Sequence, residues 1–217
     1  MNEVKPNFGD RDYTFKMDSY FDRGWNIFRQ YMWGFIGFLI LDNLIISSVL
    51  SRLPFPLGTN EDGQGGILYL LLSFGLTAGY YIVALRIAKN QSKSFGNFFD
   101  GFKIIFTIFL VSLVGGLLIG LGLLFLIIPG IYLAICYFFA LLFVVENRLN
   151  FWSALEASRK VVSKKWFSFF GFAFLLGLIN IAGALALLIG LVITIPFTMC
   201  ATVAAFEDIV GLKVAKL

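Results

Sequence analysis

The chain has 217 residues, of which 59% are hydrophobic and only 14% charged, and its formal net charge is +4. Soluble domains carry roughly 25% charged residues, and a water-soluble fold cannot hide this much apolar surface. Its basic residues border hydrophobic segments instead of forming one basic face. We therefore expect membrane lipids, with anionic headgroups as the counter-charge, and no nucleic acid among its partners.

The N-terminal region, residues 1–32, is polar and charged. It lacks the apolar core and the small-residue cleavage site of a signal peptide, so we expect it to be retained. Phe21, Trp25, Phe28 and Met32 recur at spacings of four, three and four. This spacing predicts an amphipathic helix that lies in the membrane interface, preceded by a cytoplasmic tail.

The apolar runs predict three helical hairpins. A membrane-spanning helix needs about 20 apolar residues, and residues 33–87 contain two such runs, which predict hairpin 1. The stretches 104–145 and 166–206 are free of charge for 42 and 41 residues. Each is about twice as long as one crossing requires, so each predicts a further hairpin.

Short amphipathic stretches also precede the second and third hairpins. Ser94 is a candidate cap before four phenylalanines, and Asn150 before a stretch with two tryptophans. These aromatic residues and their apolar neighbours are Phe95, Phe98, Phe99 and Phe102, and Trp152, Leu155, Val162 and Trp166. The sequence thus predicts an all-α membrane protein with six transmembrane helices. They form one membrane domain, 1–217, with an interfacial helix and hairpin over 94–146, another over 150–210, and a tail over 211–217.

The distribution of Lys and Arg sets the expected orientation. In the six-span arrangement 16 of these residues fall on one face and only Arg52 on the other. Four spans would give eleven against six, a poorer asymmetry. Because cytoplasmic loops are enriched in Lys and Arg, both termini are expected in the cytoplasm, and the chain in the cytoplasmic (inner) membrane.

The C-terminal half carries a series of short motifs. They are Ile128-Pro129-Gly130-Ile131-Tyr132-Leu133, Glu146, Ala154-Leu155 with Ser158, Trp166 with Phe170-Gly171, and Ala204-Ala205-Phe206-Glu207-Asp208 ahead of Gly211. These motifs resemble a group of bacterial integral membrane proteins that includes the membrane domain attached to some glycerophosphodiester phosphodiesterases. The resemblance covers residues 120–211 and implies a six-helix membrane fold without implying an activity. The phosphodiesterase catalytic domain has no counterpart in this sequence.

Few residues offer catalytic chemistry. The chain has no histidine, and its two cysteines, Cys136 and Cys200, lie inside apolar runs without metal or redox spacing. No phosphate-cradling glycine loop is present, so we expect neither an enzyme nor a cofactor. The pairs Gly75/Gly79 and Gly116/Gly120 predict close packing of helices instead.

Asp42 is the most prominent candidate for an intramembrane polar site, together with Asn43 and Asn180. It follows Trp33 by nine residues, which places it about 13 Å along the helix, near the middle of the bilayer. A charge there costs about 2.5 to 3.5 kcal/mol unless it faces the bundle interior, so we expect a polar partner such as Tyr80, Thr107 or Asn180. A structural clamp, a displaced first helix and a ligand- or proton-linked site all remain open.

Three further groups of residues are singled out. Pro129 and Pro196 are expected to kink their helices, which in broken-helix transporters frees carbonyls for a ligand. Four cations form a candidate set of lipid-headgroup contacts, with a role as topology determinants as the alternative: Arg159, Lys160, Lys164 and Lys165. The acidic pair Glu207-Asp208 has Arg86 or Arg148 as candidate partners, or is solvated.

These expectations favour a non-enzymatic multi-pass membrane protein. It would bind or move a lipid or small amphiphile, or support a membrane-associated protein partner that the sequence does not identify. The alternative is a secondary transporter or channel whose site is formed by Asp42 and the Pro129 and Pro196 kinks.

Overall fold

The computed structural model describes residues 12–50, 67–186 and 190–212, and within these residues it is all-helical, with no strand. The predicted loop around Arg52, the ends of both tails and the tip of the third hairpin lie outside the described residues. The helices are α1 Met17–Arg29, α2 Met32–Leu50, α3 Ile67–Ala88, α4 Ile105–Phe125, α5 Ile127–Cys136, α6 Ala140–Asn147, α7 Phe151–Val162, α8 Trp166–Leu185 and α9 Leu191–Ile209. Two 3₁₀ helices, Phe95–Ile104 and Ser163–Lys165, precede α4 and α8.

Four helical stretches among the described residues are long and apolar enough to cross a membrane: Phe95–Phe125, Ile127–Asn147, Phe151–Leu185 and Leu191–Ile209. Two shorter apolar stretches, Met32–Ile45 and Leu72–Ala88, lie in α2 and α3. The prediction of an all-α, multi-pass membrane protein is thereby confirmed.

A tight turn joins α4 to α5. Leu126 is extended (φ −153°, ψ 122°) and interrupts the two helices, and its N–H donates to the Gly122 carbonyl at 3.0 Å. A Cβ on Gly122 would lie 2.9 Å from the Gly130 Cα. Only glycine therefore permits so close an approach of α4 and α5 beside the turn.

Helix α1 packs into the bundle along α9. Its buried residues are Tyr20, Gly24, Ile27 and Phe28, whereas Trp25 stays 41% exposed. A Cβ on Gly24 would lie 2.5 Å from the Ala201 Cα, so the two backbones are nearly in contact. The aromatic face predicted from the sequence is thus divided, with Phe28 facing protein and Trp25 partly facing outward.

The 3₁₀ helix Phe95–Ile104 packs against α3 at Gly75 and Gly79, where an added Cβ would collide with Phe102 and with the Phe98 backbone. Close packing at this glycine pair was predicted, although its partner is the 3₁₀ helix and not another span. The Phe98 ring is fully buried and stacks on Phe38 with centroids 4.2 Å apart.

The same packing prediction is wrong for Gly116 and Gly120. A Cβ at either position would meet nothing within 4 Å among the described residues. This stretch of α4 faces outward, and small residues that face outward do not bring two backbones together.

A local break marks the point at which each 3₁₀ helix meets α4 or α8. The backbone leaves helical geometry at Ile104 (φ −123°, ψ 19°) and at Lys165 (φ −130°, ψ 42°). The predicted Asn150 cap is confirmed, because its side chain accepts a hydrogen bond from the Ser153 N–H at 2.8 Å.

Candidate functional site

Asp42 lies half-buried on α2 and faces Tyr80 of α3. Tyr80 is 2% exposed. Asp42 Oδ1 and the Tyr80 hydroxyl are enclosed, but neither completes a hydrogen bond of normal geometry within the described part of the chain. The pair is therefore a polar contact inside an otherwise apolar, aromatic layer, with unused hydrogen-bonding capacity on both side chains.

The structure does not gather Asp42, Asn43 and Asn180 into one site. Asn43 is exposed, and its amide donates to the Leu39 carbonyl of its own helix at 2.8 Å. Asn180 on α8 instead contacts Thr198 of α9, with 3.4 Å between Nδ2 and Oγ1. Consecutive side chains on a helix point about 100° apart, so Asp42 and Asn43 face different directions.

The two prolines occupy different places in their helices. Pro129 lies in the first turn of α5, where the missing N–H has no acceptor within the helix and the helix is not interrupted. Pro196 lies inside α9, five residues after its first residue, and is buried. The two prolines are therefore not structurally equivalent.

The four candidate headgroup cations are divided between α7 and the 3₁₀ helix after it. Arg159 forms two hydrogen bonds with Glu156, at 2.9 and 2.8 Å, and Lys160 lies 3.6 Å from the same carboxylate. Lys164 and Lys165 are exposed, and Lys165 lines a shallow cavity with Lys16, Asp12 and Asp208. Lys160 is exposed as well, so three of the four cations face outward, and Lys164 and Lys165 are the two that follow α7.

The acidic pair at the end of α9 binds α1, and the expectation that it pairs with Arg86 or Arg148 is wrong. Arg23 Nε and Nη2 donate to the two oxygens of Glu207, both at 3.0 Å. The Tyr20 hydroxyl donates to Asp208 Oδ2 at 2.9 Å. Burial raises the pKa of Tyr20 to about 12, so this phenol keeps its proton and remains a donor. No local pattern signals these contacts, because α1 and α9 lie at opposite ends of the chain.

These contacts belong to a polar network, which we call the polar end, that joins α1 to the C-terminal ends of α3, α6 and α9. Arg23 also donates to the Ala88 carbonyl of α3 at 3.3 Å. Next to it, Lys89 forms a 2.6 Å ion pair with Glu146 of α6, whose side chain is only 4% exposed. The polar end therefore links α9 through α1 and α3 to α6.

Ser158 holds a break between α5 and α6. This fully buried hydroxyl donates to the Cys136 carbonyl at 2.7 Å and accepts from the Phe139 N–H at 3.1 Å. It thus satisfies a carbonyl and an amide that the break leaves without helical partners. Sequence reasoning noted Ser158 only within a motif and did not predict this role.

A comparison with known protein families finds no matching family model. Neither the curated proteins nor the solved structures yield a match.

Proposed function

We propose that this chain is a non-enzymatic membrane protein of six spans in three hairpins, and that its bundle binds membrane lipids. Both termini and the polar end face the cytoplasm, and the membrane is the inner one. The six-span arrangement is supported by the lengths of α2 and α3, 19 and 22 residues, which approach or exceed the roughly 20 needed for a crossing. The 16-to-1 distribution of basic residues supports the orientation.

The observation that carries lipid binding is the outward face of α4, α5 and α8. Large apolar side chains on it are strongly exposed, among them Leu124 at 78%, Ile128 at 81% and Phe167 at 83%. Soluble proteins rarely expose such contiguous apolar surface, because water solvates it poorly. At the start of α8, Trp166 and Phe167 follow Lys164 and Lys165. Anionic headgroups would contact the exposed cations, and acyl chains would contact the exposed aromatic side chain.

The proposal is tested by counting bound lipids. Protein purified in phosphatidylcholine nanodiscs, with and without phosphatidylglycerol, is analysed by native mass spectrometry. Lys164→Gln with Lys165→Gln is expected to retain fewer phosphatidylglycerol molecules and the same number of phosphatidylcholine molecules. The control, Arg29→Gln with Lys93→Gln, removes the same charge from exposed positions outside this segment. An equal loss in the control would show that only net charge matters, and would sink this assignment.

Two neighbouring roles stay within this proposal. The bundle moves a lipid or amphiphile between leaflets, or it supports a membrane-associated protein partner. The resemblance to the membrane domain attached to some glycerophosphodiester phosphodiesterases is also retained as a proposal, supported by the motifs of residues 120–211.

A secondary transporter or channel is the second candidate. It is favoured by the enclosed Asp42 and Tyr80 pair, whose oxygen atoms have unused hydrogen-bonding capacity among the described residues. An acid at this depth is able to bind a proton or a cation reversibly. Uptake into proteoliposomes that depends on pH in the natural chain, and not in Asp42→Asn, would distinguish transport from lipid binding.

A further inference from the structure

A cavity of about 310 Å³ opens at the polar end, between the C-terminal ends of α3 and α6 and the 3₁₀ helix Phe95–Ile104. Its charged lining residues are Arg86, Lys89, Asp100, Lys103, Glu146 and Arg148. Four cations thus face two carboxylates, and the cavity carries an excess of two positive charges. The shallow cavity near Asp208 is different, because its two lysines are balanced by two aspartates.

Both carboxylates of this cavity are held by lysines. Lys89 pairs with Glu146 and Lys103 with Asp100, each at 2.6 Å. Within each pair the lysine neutralises the carboxylate, so the excess positive charge resides on the guanidinium groups of Arg86 and Arg148.

These two guanidinium groups have hydrogen-bonding capacity to spare. Arg86 lies 3.7 Å from Asp100 Oδ2 and 3.4 Å from the Ser92 carbonyl, both long contacts. Asp100 Oδ2 is already engaged at 3.1 Å by the Asn97 amide. The exposed side chain of Arg148 forms no hydrogen bond or ion pair with the described residues. A guanidinium carries five N–H donors in a planar fork, a geometry that matches phosphate oxygens.

The backbone of Arg148 is strained for the residue it carries. It ends α6 in the left-handed region (φ 53°, ψ 34°), a position that helices most often give to glycine or asparagine. Asn90, which follows α3 with φ 54°, fits that preference. Strained residues occur preferentially at binding sites, so the strained backbone at the cavity rim favours a binding role for the Arg148 side chain.

Compensation of the helix dipoles does not account for all of this charge. A helix C-terminus carries about half a negative charge, so the ends of α3 and α6 together supply about one. The cavity has an excess of two cations, so about one positive charge is left after both helix ends are compensated.

We propose that this cavity is a phosphate-binding site, in which Arg86 and Arg148 bind the phosphate group of an anionic phospholipid or of a soluble phosphate ester. The lipid source rests on the function proposed above, and the soluble source does not. The site is distinct from the exposed lysines that precede α8.

The test compares Arg148→Gln with Arg29→Gln, an identical change of charge at an exposed arginine on α1 outside this cavity. At constant ionic strength, inorganic phosphate and glycerol 3-phosphate are titrated against the full chain in detergent, and thermal unfolding is followed. Phosphatidylglycerol binding is counted separately in nanodiscs. Arg148→Gln is expected to weaken binding about tenfold or more, because one charge-assisted hydrogen-bonding partner is lost. Arg29→Gln is expected to bind like the natural chain.

A second variant separates binding from folding. Arg148→Gly removes the side chain and relieves the left-handed strain, so its thermal stability without ligand should equal or exceed that of the natural chain, while phosphate binding is lost. If the variant loses binding both in the soluble titrations and in nanodiscs, the site binds phosphate groups in general. If it loses binding only in nanodiscs, the site binds a lipid headgroup. Unchanged binding in Arg148→Gly, or equal loss in Arg29→Gln, overturns the proposal. If Lys164→Gln with Lys165→Gln leaves lipid binding intact while the soluble titrations depend on Arg148, the assignment of headgroup binding to Lys164 and Lys165 fails and the phosphate site stands.

Discussion

At the scale of single residues, polar side chains hold this bundle together where helical hydrogen bonding is interrupted. Ser158 is fully buried and serves both sides of the break between α5 and α6. The Lys89–Glu146 pair is similarly enclosed, with the Glu146 side chain 4% exposed. A buried polar group without a partner is costly, so these contacts favour the observed placement of α7 at the break and of α6 beside the end of α3.

Ser158→Ala is expected to destabilise the protein by about 1–3 kcal/mol, because the Cys136 carbonyl and the Phe139 N–H lose their partner in a buried place. The free energy of unfolding, measured by denaturant titration in mixed micelles, checks this expectation. Ser168→Ala is the control, since Ser168 is half-exposed on α8, and should stay within about 0.5 kcal/mol of the natural chain. Equal stability of the two variants would remove Ser158 from this role.

At the scale of elements, glycine decides which helices approach closely. Gly24 brings α1 onto the Ala201 backbone of α9, and this approach allows Arg23 to reach Glu207. Gly116 on α4 meets nothing within 4 Å in the described structure, although its sequence context resembles a packing motif. Both residues are glycines, but Gly24 faces another helix and Gly116 does not.

Gly24→Ala and Gly116→Ala should therefore change stability in opposite directions. The new methyl group at residue 24 meets backbone atoms that cannot give way, which costs about 1–3 kcal/mol. At residue 116 it has free space, and alanine favours the helix by about 0.5–1 kcal/mol over glycine. Thermal unfolding measures both changes, and faster hydrogen exchange in α1 should accompany only Gly24→Ala. A stable Gly24→Ala with unchanged exchange would contradict the close docking of α1.

At the scale of the whole molecule, the bundle has a polar end and an apolar exterior. Arg23, Glu207, Lys89 and Glu146 connect α1 to the C-terminal ends of α3, α6 and α9, whereas α4, α5 and α8 expose apolar side chains. In the proposed topology this polar end meets the cytoplasm, where loops rich in Lys and Arg are retained.

The topology predicts which introduced cysteines react with a membrane-impermeant thiol reagent applied to intact cells. Cysteines placed between residues 52 and 65 should be labelled, and cysteines at Lys93 or Lys160 should be labelled only after lysis. Native Cys136 and Cys200 are fully buried and give little background. Labelling at Lys160 in intact cells would overturn the six-span arrangement.

The sequence by itself determined the class of the protein and much of its layout. Long apolar runs predicted a membrane protein built of helices, because a helix needs about 20 apolar residues to cross a bilayer and few other structures can cross it. The Asn150 cap was also predicted, since capping depends on residues three positions apart.

Only the tertiary structure decided which residues meet. The partners of Glu207, Ser158 and Glu146 come from distant parts of the chain, so local patterns carry no information about them. Tyr80 was among the partners predicted for Asp42, whereas Asn43 and Asn180, which were grouped with Asp42 by polarity, make different contacts. Polarity shows that a residue in a membrane needs a partner, but the packing of helices determines which partner lies within reach.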